Sequence, residues 1–383
     1  MTGANGLIAL PPIATDPMID AALRNGARVG FNLSGGKDCG AVSAMTNAYL
    51  DAIGHPRDLR FAIHADLGRA EWRSTPAQVQ AQADALGLPL IVVRARSGDL
   101  VARFENRWQR GLQDYADLRL YNLRGPWSSA SLKFCQSEKK IQVMGPHLAR
   151  EFRGQTIINV VGIRREEGAG RKDTVVAKLD TRFAKPGNKA GTTMMLWHPG
   201  VDLKEAEVYT ANERYGVPLA EGYGLGATRW SCALCTMASA NDLSVSTSVA
   251  GNHWLYRHYV GMEATSTFSF QPRKWLGDVA PHLLSPGLIS DLDRAKRYAA
   301  ERRSIEAALP ARHRFVQGWP LYVPTMDEAA AICAGRSAIL YMHGREDAYF
   351  TPRKTRDRFA ELVAESGARK ARSRRPRSGM LDG

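Results

Sequence analysis

One turn limits what this chain can fold into. In Phe31-Asn32-Leu33-Ser34-Gly35-Gly36-Lys37-Asp38-Cys39, preceded by Val29, an apolar run ends in two glycines, a lysine and an aspartate, and Gly40-Ala41-Val42-Ser43-Ala44 then opens a run of small residues. The pattern predicts a buried strand over residues 28–33, a tight turn, and a helix over about 38–53 that stops at Gly54 with Pro56 beyond. Adjacent glycines can adopt positive φ and present consecutive N–H groups to one anion at a helix start. Ser34 to Asp38 therefore read as a phosphate cradle. Lys37 adds a point charge, Ser34 a hydroxyl, and Asp38 a carboxylate able to cap the helix or to orient a metal-bound phosphate. The loop is not G-x-x-x-x-G-K-[ST], because its glycines are adjacent and an aspartate follows the lysine. A plain glycine turn is the rival reading.

The next segments alternate. Strands are expected over 59–64, 89–93 and 156–161, with a helix over 75–86 between the first two, so the sheet should be mostly parallel with helices on both faces. Asp66 follows the second strand at the edge where ligands bind in such sheets, and suits a ribose hydroxyl or an adenine edge; an ordinary Asp-Gly turn is the alternative. The strand over 156–161 is aliphatic throughout, hence buried on both faces. It leads into Gly162-Ile163-Arg164-Arg165-Glu166-Glu167, with Arg171 soon after, and Arg164 and Arg171 are candidates for a bidentate grip on phosphate. Residues 172–193 read as a flap. Asp202, with Glu205 three residues on, reads as the cap of a further helix.

Cys232-Ala233-Leu234-Cys235 is the strongest metal signal, and Cys135, within Ser131-Leu132-Lys133-Phe134-Cys135-Gln136-Ser137-Glu138-Lys139-Lys140-Ile141, could supply a third thiolate. Iron–sulfur and zinc are both open on these ligands, as is a plain redox pair. Cys333 could supply a fourth ligand.

Five segments in this order resemble the PP-loop ATP pyrophosphatase superfamily, in its phosphoadenosine phosphosulfate reductase-like branch. They are the S-G-G-K-D loop, Asp66-Leu67-Gly68 with Glu71, the Cys135-to-lysine segment, Gly162-Ile163-Arg164 with Glu167 and Arg171, and His198-Pro199 with Asp202. The resemblance spans residues 28–236. Departures are Leu67 for threonine, Gly168 for serine, Leu203 for tryptophan, Cys39 for serine in the loop, and Phe134 where cluster-bearing members have a first cysteine.

The resemblance implies an adenine nucleotide alpha-hydrolase-like, Rossmann-like α/β fold and cleavage of ATP to AMP and pyrophosphate with Mg2+. Lys37, Asp38 and Arg164 would be catalytic; Ser34, Gly35, Gly36, Lys37, Asp38, Asp66, Gly162, Arg164 and Arg171 would bind the nucleotide. Cys135, Cys232 and Cys235 would hold a [4Fe-4S] cluster, with zinc as the alternative. Cys39 reads as a spectator or a helix-packing residue. The lysine in the loop favours ATP, the basic charge favours a nucleic-acid acceptor, and DNA phosphorothioation proteins of this branch have both features. Two other readings stay open: a sulfonucleotide reductase, which needs a mobile distal cysteine, and a non-catalytic nucleotide- or DNA-binding subunit.

At 383 residues the chain exceeds one small core. The organisation expected is a lead-in over 1–26, the nucleotide domain over 27–240, a mainly helical accessory domain over 241–365, and a basic disordered tail over 366–383. The net charge of +14 suits a polyanionic partner, so a nucleic acid, DNA or tRNA, is expected beside the adenine nucleotide and a sulfur-donor protein. Five cysteines, an odd number, form no disulfide scaffold and suit a reducing compartment. Residues 1–22 have no basic region ahead of their apolar part and are broken by Pro11 and Pro12, so no secretory signal is expected. No apolar run is long enough to span a bilayer. The expected location is cytoplasmic, with no membrane partner.

Overall fold

The computed structural model describes residues 9–315 and 319–374. The chain divides into two compact units, Met1–Val101 with Ser128–Tyr256, and Ala102–Trp127 with Arg257–Gly383.

The first unit is built on a six-stranded sheet: β1 (Arg28–Asn32), β2 (Arg60–Asp66), β3 (Leu90–Arg94), β4 (Thr156–Val160), β5 (Ala177–Leu179) and β6 (Thr193–Trp197), in the spatial order β3-β2-β1-β4-β6-β5. Every pairing is parallel except that of β5 with β6. The order reverses between β1 and β4, so the loops leaving these two strands face one crevice. Alternation along the strands splits the apolar residues between two faces. Ala62, Ile158, Met195 and Trp197 pack with residues of helices α1 (Pro17–Arg24), α2 (Lys37–Ala52) and α3 (Thr75–Ala85), whereas Phe61, Ile63, Ile157 and Met194 pack with Leu148 of the helix Gln142–Glu151. Two apolar layers on one sheet make the fold doubly wound.

Two local expectations change. The flap over 172–193 contains β5, whose three residues pair with β6 as an antiparallel edge. The helix Glu205–Arg214 is capped at Lys204, whose N–H donates to Glu207 Oε2 at 2.6 Å; Asp202 pairs with Arg165 instead.

The second unit is helical. Its main elements are residues 102–116 of the helix Leu100–Ala116, residues 257–266 of the helix His253–Ser266, and the helices Pro286–Ala308, Met326–Met342 and Pro352–Arg374. Trp108, Leu112, Tyr115 and Leu123 pack with Ile339 and Leu340; Leu118, Tyr121, Leu309, Ile332, Phe359 and Leu362 form a second cluster. The backbone is helical through the first part of the basic run, to Arg374; residues 375–383 lie outside the described residues. No helix among the described residues is long and apolar enough to cross a membrane.

Candidate active site

β1 delivers the glycine turn to the carboxyl edge of the sheet. Gly35 has φ +81°, a conformation that L side chains resist, and Gly36 immediately precedes α2 with no side chain capping it. Cys39 fastens the turn from inside. Its sulfur accepts the Ser34 N–H at 3.3 Å and its thiol donates to the Gly36 carbonyl at 3.0 Å; burial pushes the thiol pKa up, which keeps that donor protonated. Cys39, read from the sequence as a spectator or a helix-packing residue, thus also holds the shape of the loop. A Cβ added to Gly162 would lie 2.8 Å from Cys39 Cα and 2.9 Å from its nitrogen, so the backbone after β4 touches the start of α2 where only glycine fits.

Lys37 is buried. Its Nζ donates to the Thr228 carbonyl at 2.8 Å and lies 3.2 Å from Glu205 Oε1 and 3.7 Å from Asp38 Oδ2. Its backbone N–H donates to the Tyr223 hydroxyl at 3.0 Å, and the same oxygen accepts the Trp230 N–H at 3.1 Å. The loop glycines lie against this segment: a Cβ on Gly35 would be 2.8 Å from Trp230 Nε1, and one on Gly36 would be 3.6 Å from the Tyr223 oxygen.

Asp38 and Arg164 meet. Arg164 Nε donates to Asp38 Oδ1 at 2.5 Å, and its Nη1 donates to Glu166 Oε2 at 2.8 Å and the Leu203 carbonyl at 3.3 Å. Burial alone would loosen the guanidinium proton, but the charges of Asp38 and Glu167 outweigh it and hold the Arg164 pKa above its usual value. Glu167 Oε2 accepts the Arg164 N–H at 3.0 Å and also the Arg171 guanidinium, so Arg171 joins the same chain of charges.

Beside these residues lies a cavity of about 810 Å³, within the range of nucleotide pockets. Ser34, Cys39, His64, Lys140, Gly162 and His198 are among its walls. Burial lowers the His198 pKa, and its Nδ1 lies 2.7 Å from the Val175 carbonyl. Asp173, Lys178, Asp180 and Arg182, from the segment read as a flap, also line it. His64 and Lys140 carry no site role in the sequence reading; His64 sits in an apolar strand and Lys140 is one of several lysines.

Asp66 is placed elsewhere. It pairs in register with Arg94, whose Nε donates to Oδ2 at 2.5 Å, and its Oδ1 accepts the Gly68 N–H at 2.6 Å. It lines a separate cavity of about 330 Å³ with Arg69, Trp72 and Trp254.

The three thiols share a neighbourhood. Burial raises the Cys232 pKa, the nearby sulfurs of Cys235 and Cys135 add to the rise, and Lys140 pulls the other way. Burial likewise raises Cys235. Cys135 accepts from the Ser128 hydroxyl at 3.2 Å. The donor set suits a soft metal, yet among the described residues no group of three or more His, Cys, Asp or Glu side chains is arranged to hold a metal ion. Cys333 belongs to the second unit and is buried within the helix Met326–Met342.

Residues 28–238 match the phosphoadenosine phosphosulfate reductase domain family. No curated protein is significantly similar in sequence. Among solved structures, the chain is similar to a phosphoadenylyl-sulfate (PAPS) reductase from Candida auris in its phosphate complex, at 12% identity and a TM-score of 0.35, over 56% of this chain and 85% of that one. With more than half of its length matched, the chain belongs to the phosphoadenosine phosphosulfate reductase domain family, within the PP-loop ATP pyrophosphatase superfamily.

Proposed function

We propose that the protein is an ATP pyrophosphatase that splits ATP into AMP and pyrophosphate to activate an acceptor, and that the activated acceptor, a nucleic acid, then receives sulfur. The observation that carries this reading is the junction of the S-G-G-K-D loop with Arg164 through Asp38, next in sequence to Ser34, Cys39, Gly162 and Ile163, which line the cavity of about 810 Å³; Gly35, Gly36, Lys37, Asp38, Arg164 and Arg171 do not line it.

In this reading the adenosine occupies the cavity and the phosphates run toward Ser34, Gly35 and Gly36, with Lys37, Arg164 and Arg171 supplying positive charge. An acceptor oxygen attacks the α phosphorus, the α–β bridging bond breaks, and pyrophosphate leaves with its charge balanced by these groups. Mg2+, when bound, would neutralise the leaving pyrophosphate; Asp38, the carboxylate of the loop, would hold it only by sharing the oxygens that now face Arg164 and Lys37. A sulfur nucleophile from a donor protein then displaces AMP. Cys135, Cys232 and Cys235 would hold an iron–sulfur cluster, or zinc in the alternative, although no metal-holding group is arranged among the described residues.

The family makes sulfonucleotide reduction the second reading. That chemistry needs a mobile distal cysteine, and Cys333, at 6% exposure within a helix, is a poor candidate. Supplying purified protein with phosphoadenosine phosphosulfate and a dithiol reductant separates the two. The ATP reading expects no sulfite; sulfite release that vanishes in Cys333→Ser establishes the reductase.

A further inference from the structure

The indole N–H of Trp230 lacks an acceptor. Nε1 is buried without a hydrogen-bond partner, and the residue is 9% exposed. A buried donor left unpaired is costly, so a native fold keeps one where a ligand or a water completes it. Nε1 is the atom nearest the position of a Gly35 Cβ, at 2.8 Å. The ring is fixed there: it stacks on Trp72 with centroids 4.7 Å apart and planes 21° from parallel, and its backbone N–H is tied to Tyr223. The Tyr223 oxygen already accepts two N–H groups, from Lys37 and Trp230, which leaves its own proton to give. Two side-chain donors therefore lie against the adjacent glycines just ahead of α2; the Lys37 N–H is already taken by Tyr223, and the helix dipole there favours an anion.

We propose that Trp230 is a ligand-binding residue of the phosphate loop, its indole N–H donating to a phosphate oxygen seated on Gly35 and Gly36. Since Trp230 is two residues from Cys232, an occupied loop also anchors the thiol-bearing segment, so nucleotide and thiols are held by one stretch of backbone. This rests on the reading of the loop as a nucleotide phosphate site.

The test is calorimetric titration of inorganic pyrophosphate and of ATP, with Mg2+, into wild type and Trp230→Phe. Phenylalanine keeps a six-membered ring against Trp72 and removes the donor together with the pyrrole part of the indole, so the indole resonance described next is the readout that isolates the donor. Affinity should fall roughly ten- to a hundredfold, the worth of one hydrogen bond to a charged group. Because the variant could misfold, the indole 1H–15N resonance of Trp230 in the wild type is the second readout, and it should move downfield on adding pyrophosphate. Wild type that binds, with an unshifted indole resonance and unchanged affinity in Trp230→Phe, overturns the inference and leaves the proposed function standing. Wild type that binds neither pyrophosphate nor ATP overturns both.

Discussion

Arg164 Nε reaches Asp38 Oδ1 at 2.5 Å across 126 residues of sequence. This contact joins the loop after β4 to the first turn of α2, so the residue read as a phosphate grip is also a strut. The Arg164 side chain is 5% exposed and that of Asp38 19%. Removing one member leaves the other charge poorly solvated, which costs several kcal/mol at such sites.

Arg164→Ala should lose about 3 kcal/mol of stability by urea denaturation and also weaken ATP binding. Arg164→Lys should recover part of the stability and little of the binding, because an ammonium cannot make the forked contacts to Asp38 and Glu166. Equal recovery of both would mean that charge alone matters.

Gly162→Ala should be destabilising by about 2 kcal/mol. The new methyl would meet backbone atoms of Cys39 at 2.8 and 2.9 Å, and no rotamer change relieves a backbone contact. Unfolding midpoints would show it; a variant as stable as wild type would mean that the two backbones separate freely.

The second unit should lose stability in mild acid through His343. Burial lowers its pKa from 6.5 to about 4, and its Nδ1 lies 3.2 Å from the Thr265 carbonyl. The unfolded chain takes up its proton first, so the stabilising contribution is complete above pH 6.5 and drains away as pH falls toward 4. The loss is on the order of 2 kcal/mol. His343→Asn keeps a donor for Thr265 and removes the titration, so its stability should vary less between pH 7 and pH 5 than that of wild type.

If Cys135, Cys232 and Cys235 close around an iron–sulfur cluster when it is supplied, anaerobically purified protein will contain iron and acid-labile sulfide with a broad visible absorption, all lost in Cys232→Ala; metal-free protein would agree with the open arrangement of the three thiols. Colourless protein carrying zinc would exclude the cluster and favour a structural site.

Strand β1, the glycine turn and α2 are legible in the sequence because they are local: apolar residues run into two glycines, and small residues follow. The meeting of Arg164 with the loop is legible only through the parallel order of β1 and β4, which brings their carboxyl ends side by side. Asp66 shows where local reading stops. Its partner is Arg94 on β3, set by a register of Asp66 against Arg94 that no local pattern encodes. The edge strand β5 escapes because three residues are too few for a visible alternation. Lys204 caps its helix because Glu207 folds back onto its N–H, a choice between neighbouring carboxylates that spacing leaves open. Tyr223 and Trp230 read as residues among glycines on the way to Cys232; their place over the loop depends on a contact about 190 residues away in sequence.

The most direct test of the account is product analysis of ATP incubated with Mg2+, a nucleic acid acceptor and a sulfur donor, in wild type and in Lys37→Ala. Wild type should give AMP and pyrophosphate in equal amounts, and Lys37→Ala neither. Formation of ADP and inorganic phosphate, or AMP and pyrophosphate released undiminished by Lys37→Ala, would contradict it.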